Sequence, residues 1–370
     1  MNMGSLVMTS SFDVFPPHTG GERRIYQIAR EMAGRGRVIF VYPREKTVPA
    51  EDIPGMELVP YRIRCRYQKL FSVGMLHKTI RLCSREKADL FYVHTIWGGL
   101  QAVLLRALTG VPFVLDEQNV EYLRFRDTGN RLWPIMRIYE KAVTGFAGLV
   151  VCVSERDKEA FVELGVPRER LYVATNGVDT SVFRPDEDAR RRVRGQLGLG
   201  NDPLVLFFGA LDYPPSLEAL AALRDHIVPR VREAEPGARF IVAGRNPPAR
   251  AFYDGMEFVG FVERIQDYIN ASDVVVCPIT SGGGTRTKIL EAIACGKRVV
   301  STTKGAEGLE LDLVGEGVIM ADDWDDFSDK VINAVRMTGI PVDLPERFYE
   351  EYSWRGIVEG LSAALEGVRP

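Results

Sequence analysis

This sequence predicts two doubly wound, parallel-sheet α/β domains in series, and three observations carry that expectation. Short β-rich runs alternate with longer amphipathic helical patterns from one end of the chain to the other, as in sheets built from βαβ units. At 370 residues and 46% hydrophobic content, the chain can bury two cores. The alternation breaks once, at "NGVDTSVFRPDEDARRRVRGQLGLGNDP", where Asn-Gly, a proline and a charge run give linker signals before strands resume at Pro203. The expected domains are therefore 1–178 and 179–350, with a last helical pattern at about 350–370 that either caps the second or crosses back to the first.

Taken in order, the first domain offers strands at "SLVMTS", "RVIFVYP", "ELVPY", "LFYVHT", "PFVLDEQ", "GLVVCVS" and "RLYVATN". The second offers "PLVLFFG", "RFIVAG", "EFVGFV", "VVVCPI", "RVVSTT" and "GVIMA". Helical stretches such as "GERRIYQIAREMAGRG" lie between them, and "SLEALAALRDHIVPRVREA" sets Leu217, Leu220, Leu223 and Ile227 on one face.

Composition narrows the function classes. The five cysteines (Cys65, Cys83, Cys152, Cys277, Cys295) are odd in number and lack C-x-x-C spacing, which suggests neither zinc nor a disulfide framework and fits a reducing cytoplasm. The opening "MNMGSLVMTSSFDVFPP" has no basic n-region, and no apolar run approaches the roughly 18 residues of a membrane span. A cytoplasmic protein is expected. Net charge is −3, yet residues 1–170 carry 25 Lys+Arg against 19 Asp+Glu (+6), leaving 22 against 31 (−9) for the rest, so the basic half should meet something anionic. No helix-turn-helix, zinc or aromatic-basic signature points to nucleic acid.

The chemistry concentrates in "SGGGTRTKILEAIACGK", residues 281–297, which runs from the end of a strand into a helix with Thr285 as candidate N-cap and Gly296 as candidate C-cap. Such a loop lies at the carboxyl edge of a parallel sheet, where open α/β folds bind ligands. Glycines 282 to 284 let the backbone approach an anion, and the free N–H groups of Arg286, Thr287 and Lys288 face it, with Arg286 and Lys288 adding charge for a diphosphate. Glu291, on the far side of this cradle, is placed to accept hydrogen bonds from a ribose diol. The alternative is a tight turn followed by a solvated glutamate.

"GGGTRTKILEAIACGKRVVSTTKGAEGLE" resembles the donor-nucleotide signature of retaining glycosyltransferases of family 4, the GT-B group with two facing Rossmann-like domains and an interdomain cleft. The likeness extends to "PPHTGGERRIYQIAREMAGRGRV", "VSERDKEAF", "NGVDTSVFRP", "LFFGALDYPPSLEAL" and "FIVAGRNPP", nearly the whole chain. Two departures stand out. The family's acidic pair, eight apart, would need a carboxylate at Gly283, and "GALDYPPSLEA" lacks the family's usual Arg and Lys after the first strand of the second domain. Arg245, Arg286 and Lys288 are then expected to hold the diphosphate, while the hexose is held differently.

The resemblance implies roles elsewhere. Gly20 and Gly21, after the first strand, would offer N–H groups to the transferring sugar and its phosphate, unless they only form the turn. His94, ending "LFYVHT", would touch the donor sugar, although a lone His at a strand end is often structural. Glu117 and Asn119, with Glu121, would line the acceptor side or simply cap the next helix, and Asn176 with Asp179 would organise the hinge. Phe261 and Val262 in "GFVER" would meet the nucleobase. Residues 61–87 carry eight Lys+Arg and one acid among interleaved apolar residues, a pattern that fits peripheral contact with an anionic membrane surface or an ordinary solvated helix.

The implied activity is a retaining, metal-independent, hexosyltransferase-type glycosyltransferase needing no cofactor beyond its nucleoside diphosphate sugar substrate, with a glycan, lipid-linked or small-molecule acceptor. His94, Gly21, Arg286 and Lys288 form the catalytic group, the donor lies mainly on the second domain, and closure across the linker completes the site. Two alternatives share the fold, a nucleotide-sugar epimerase and a catalytically altered nucleotide-sugar-binding relative. An NAD-dependent enzyme is disfavoured, since the chain has no dinucleotide fingerprint.

Overall fold

The computed structural model describes residues 3–17, 19–45, 52–62, 71–248, 255–282, 286–337 and 342–368. Its contacts divide the chain into two units, Met1–Asn176 with Trp354–Pro370, and Gly177–Ser353.

Unit 1 runs β1 (Met3–Ser10), α1 (Gly20–Ala33), β2 (Gly36–Pro43), β3 (Met56–Tyr61), α2 (Val73–Glu86), β4 (Leu90–His94), α3 (Gly99–Thr109), β5 (Phe113–Asp116), α4 (Glu121–Asp127), α5 (Trp133–Phe146), β6 (Leu149–Cys152), α6 (Glu155–Leu164) and β7 (Leu171–Val173). Its seven strands are all parallel, in the order β3-β2-β1-β4-β5-β6-β7. Unit 2 runs α7 (Glu187–Gln196), β8 (Leu204–Ala210), α8 (Pro214–Ala222), α9 (Val228–Ala234), β9 (Arg239–Arg245), β10 (Glu257–Gly260), α10 (Ile265–Ala271), β11 (Val274–Cys277), α11 (Thr287–Ala294), β12 (Arg298–Ser301), α12 (Leu311–Val314), β13 (Val318–Met320), α13 (Trp324–Arg336) and α14 (Glu346–Tyr352). Its sheet is also parallel, in the order β10-β9-β8-β11-β12-β13.

Every stretch read as a strand from the sequence forms one. Parallel strands buried on both faces must be continuously apolar, and β11, "VVVC", and β6, "LVVC", are buried at every position. Helices cover both faces of the unit 1 sheet. One layer holds Ile28 and Met32 of α1 together with Ile357, Val358 and Leu361 of α15 (Trp354–Glu366), so the last helix belongs to unit 1. The other layer takes Met75, Leu82 and Cys83 of α2, with Leu76 and Ile80 packed against them. The apolar side of α2 is therefore committed to the core, and residues 63–70 of the basic stretch lie outside the described residues.

Both sheets reverse direction once. Chain order runs outward from β1 to β3 and returns beside β1 at β4, and it does the same from β8 to β10 and back to β11. At such a switch point the connections at the carboxyl ends diverge and leave a crevice for a ligand. The β1/β4 and β8/β11 ends carry the residues that follow.

Candidate functional site

In unit 2, β11 leads into the glycine loop and β8 ends beside it. Gly282 has φ +84°, and a Cβ there would come within 3.1 Å of Pro215 and the Arg286 guanidinium, so the tight turn itself requires glycine. The loop is fixed at its entry by Glu218 of α8, whose Oε2 accepts from Ser281 Oγ at 2.6 Å and Thr280 Oγ1 at 3.2 Å. Arg286 Nη2 donates to the Ser281 carbonyl at 3.0 Å and draws the two ends of the loop together.

Gly283, Gly284 and Thr285 lie outside the described residues. The expected Thr285 cap gives way to a helix whose first residue is Thr287 and whose cap position is held by Arg286. An arginine side chain cannot accept a bond from first-turn amides, and this one turns back to Ser281 instead. At the other end Cys295 is the cap and Gly296, with φ +73°, follows in the left-handed conformation that ends helices.

Lys288 projects from the first turn of α11 across the sheet edge. Its Nζ lies 4.6 Å from the Phe207 ring centroid, and a Cβ on Gly209 would stand 3.2 Å from it. Burial pushes the ammonium below its ordinary value, with Cys277 and Glu291 opposing and Arg286 adding to the shift. Glu291 is one turn further along the same face and is buried rather than solvated. Arg245, at the end of β9, places its guanidinium 4.5 Å from the ring centroid of Phe261, which is 57% exposed, with half-buried Val262 next in the chain. The β9 and β8 ends press together at glycine, because a Cβ on Gly244 would fall 2.0 Å from the Gly209 carbonyl oxygen.

In unit 1, Gly20 and Gly21 are not a turn before the helix but its first two residues. Thr19 is the cap, with Oγ1 accepting from Glu22 N, because a β-hydroxyl satisfies a first-turn amide and lets the helix start at once. Space above Gly20 is open, and Gln118 Nε2 donates to the Gly21 carbonyl at 3.2 Å.

His94 ends β4 next to Asp116 of β5, and both are fully buried. Its Nδ1 lies 3.0 Å from Asp116 Oδ2. Asp116 Oδ1 takes a 2.8 Å bond from Arg24 Nη2, and Arg24 Nη1 donates to Thr175 O at 2.8 Å and Asn176 Oδ1 at 3.3 Å. Desolvation raises the Asp116 carboxyl, but Arg24 and His94 outweigh it and hold it at about 2. Desolvation lowers His94, against the opposing pull of Asp116, so the imidazole is neutral at pH 7. A carboxylate can only accept, so Nδ1 carries the proton and Nε2 is left as a buried acceptor with no partner among the described residues.

Beside them Glu117 is buried, with Oε2 accepting from Ile96 N at 3.1 Å and Oε1 without a partner among the described residues. Desolvation, then Glu140 and Glu121, push its carboxyl well up. Glu140 caps α4 through bonds from Glu121 N and Tyr122 N, and desolvation raises it to about 7. Asn119 is half-buried in the loop between Glu117 and α4.

The structure thus gathers His94 with Asp116 and Arg24 in unit 1, and Arg286, Lys288 and Glu291 in unit 2. Sequence reasoning missed Arg24, Asp116, Gln118 and Glu218. Arg24 had a usable signal, since it shares the i, i+4 register of Ile28 and Met32 and a charge on an apolar helix face must be paired. Asp116 was visible as an acid at the carboxyl end of an apolar strand. Glu218 and Gln118 gave none.

Comparison with known proteins agrees with this architecture. Residues 18–182 match the model for Glycosyltransferase Family 4, and residues 202–337 match that for Glycosyl transferases group 1. The chain is 26% identical over 303 residues to the alpha-maltose-1-phosphate synthase of Mycolicibacterium smegmatis, covering 74% of this chain and 78% of that protein. It is 27% identical over 344 residues to the D-inositol 3-phosphate glycosyltransferase of Thermomonospora curvata, covering 81% and 78%. Among solved structures, sucrose-phosphate synthase from Thermosynechococcus elongatus superposes with TM-score 0.76 at 17% identity over 98% of both chains. Anabaena HepE in complex with UDP and glucose superposes at 0.72 and 17% identity, over 98% of this chain and 100% of that one. At such identities the structural likeness speaks to the fold.

Proposed function

Since this chain belongs to the family 4, group 1 glycosyltransferases of GT-B fold, we propose that it moves a sugar from a nucleoside diphosphate sugar to a glycan, lipid-linked or small-molecule acceptor, with retention and without a metal. The observation that carries this is Lys288. The family's usual cations after β8 are missing, and the ammonium of Lys288 stands at that strand end instead, beside Gly209.

In this reading the diphosphate takes the first-turn amides of α11 together with Arg286 and Lys288. Glu291 accepts from the ribose diol, and Phe261 with Val262 meets the base beside Arg245. His94 Nε2, a neutral acceptor, takes a hydrogen bond from a hydroxyl of the donor sugar. Gly20 and Gly21 offer their helix N-terminal amides to the transferring sugar and its phosphate, and Glu117 and Asn119 serve the acceptor.

The acceptor oxygen forms a bond to the anomeric carbon as the bond from that carbon to the β-phosphate oxygen breaks. The acceptor proton passes to the departing phosphate, the nucleoside diphosphate leaves on the same face, and configuration is kept. The protein contributes positioning and electrostatic stabilisation rather than a dedicated base.

The test is calorimetric titration of UDP, GDP, ADP and dTDP into the parent protein, Lys288→Ala and Glu291→Ala. Binding of one nucleotide, weakened at least tenfold by Lys288→Ala, is expected. No binding of any of the four would remove the donor assignment. Transfer measured with and without a chelator, and the anomeric configuration of the product read by NMR, check metal independence and retention.

A further inference from the structure

Of the fourteen large hydrophobic side chains exposed among the described residues, seven fall between Leu100 and Phe146, on or beside α3 and α5. Chance scatter does not produce this grouping. On α5, Ile135 (64% exposed), Ile138 (71%), Ala142 and Phe146 (53%) recur at spacings of three and four and form one outward stripe. The opposite face of that helix, Met136, Glu140, Val143 and Thr144, already supplies its packing to unit 1. The stripe therefore contributes nothing to the core.

Helix α3 lies alongside. A Cβ on Gly99 would meet Val143 at 2.6 Å, Leu100 N bonds Tyr139 Oη at 3.1 Å, and Arg106 donates to the Phe146 carbonyl. Leu100 (43% exposed) and Leu108 (64%) extend the apolar surface along α3. Contiguous exposed apolar surface of this kind marks a docking site.

The charge of the same stretch of chain points to the occupant. Between Trp97 and Ala147 the chain has six Arg+Lys (Arg106, Arg124, Arg126, Arg131, Arg137, Lys141), all exposed, and five Asp+Glu. Four of those acids, Asp116, Glu117, Glu121 and Glu140, are buried, so Asp127 is the one exposed acid of the segment. A second copy docked on this face would bring two cationic rims together. An anionic bilayer offers both an apolar layer for the stripe and negative headgroups for the rim. We propose that the α3/α5 face of unit 1 is a peripheral docking surface for an anionic lipid bilayer.

The experiment is co-sedimentation of the full chain with vesicles of phosphatidylcholine alone or mixed with phosphatidylglycerol, at two salt concentrations. Binding to the anionic vesicles, absent on neutral ones and weakened by salt, is expected. Ile135→Ser/Ile138→Ser and Arg137→Glu/Lys141→Glu should each lower the partition constant at least tenfold, taking about fivefold per basic residue near the surface. These side chains are exposed, so unchanged thermal melts serve as the folding check, and Leu311→Ser, at an exposed position in unit 2, should bind as the parent does. Equal binding to both vesicle types, or variants that bind like the parent, would overturn the proposal. So would a dimer in solution that the Ile135→Ser/Ile138→Ser change dissolves, which would give the face to a second copy, or capture by an acidic polypeptide without vesicle binding. Sedimentation uses neither donor nor acceptor, so its failure leaves the transfer chemistry untouched.

Discussion

Replacing Arg24 by methionine is the most direct test of the buried unit 1 network. The guanidinium is 2% exposed and makes three bonds, to Asp116, Thr175 and Asn176. Methionine fills much of its volume but leaves the Asp116 carboxylate fully buried without its cation, still facing the His94 Nδ1–H. Removing one member of a buried ion pair costs about 3–5 kcal/mol. An independent figure follows from Asp116 itself, held at about 2 against an ordinary 3.8. A downward shift of that size is about 2 kcal/mol of stability, present above pH 3.8 and lost as pH falls through 2. The Arg24 charge is the largest single cause of the lowering and helps offset the desolvation of the carboxyl, so the two figures are compatible.

Urea unfolding at pH 7, followed by tryptophan fluorescence and far-UV circular dichroism, should show unit 1 losing about 3–4 kcal/mol in Arg24→Met. The double variant Arg24→Met/Asp116→Asn removes the stranded charge while the amide oxygen still accepts from His94. It should recover at least half of the loss. A loss below about 1 kcal/mol in the single variant, or a double variant no more stable than the single, would refute the view of Asp116 as a carboxylate held by Arg24.

Other outcomes follow from the same geometry. Gly244→Ala drives a Cβ into the Gly209 carbonyl, which is backbone and cannot swing away, so unit 2 should melt several degrees lower; an unchanged melt would refute the close approach. Gly21→Ala meets only the end of the Gln118 side chain, so it should cost little stability and be relieved by adding Gln118→Ala, as thermal melts will show. Glu140 titrates at about 7 in the folded chain against an ordinary 4.5, so the unfolded chain releases its proton first and unit 1 should lose stability as pH rises from 4.5 towards 7, by about 3 kcal/mol. Urea midpoints between pH 5 and 8 that stay level would contradict that burial. Glu218→Ala frees the entry of the glycine loop and should raise the donor KM about tenfold with little change in the melt, a split that a purely structural role would not give.

The sheets were legible because a parallel strand covered on both faces can be written only in apolar residues, and runs such as "VVVC" and "LFYVH" leave no other choice. The carboxyl-edge positions of His94 and of the 281–297 loop followed from strand direction alone. What sequence could not give was pairing across the fold. Arg24 and Asp116 are 92 residues apart and meet because β1 and β5 flank β4, while Glu218 reaches Ser281 across 63 residues because β8 and β11 are neighbours. Arg24 and Asp116 stand out in their own stretches, as a charge on an apolar helix face and an acid at a strand end, but neither stretch names its partner, and Glu218 looks like a solvated polar side chain. The cap of α11 was misread for a related reason, since Thr285 is the better acceptor by type but the cap position belongs to Arg286.

One departure from the family pattern in unit 2, the missing cations after β8, has a physical counterpart in α11. A diphosphate needs cationic charge at the β8 end, and that charge can come from the β8 loop or from a neighbouring element that reaches the same place. On the proposed donor reading α11 supplies it here, through Lys288, whose Nζ stands 4.6 Å from the Phe207 ring centroid and beside Gly209. Glycine at 209 and 244 fits this arrangement, because a side chain at 209 would occupy the space that Lys288 fills and one at 244 would push the 209 carbonyl away. A cation delivered from α11 also brings Glu291 one turn behind it, so on the same proposal a single helix would carry the groups for phosphate and ribose. Restoring an arginine at Ala210 should therefore fail to rescue Lys288→Ala, since Ala210 faces outward from the strand end while Gly209 faces the cation. If donor binding returned in Ala210→Arg/Lys288→Ala, the diphosphate would need only a nearby positive charge, and the register of α11 against β8 would lose its significance.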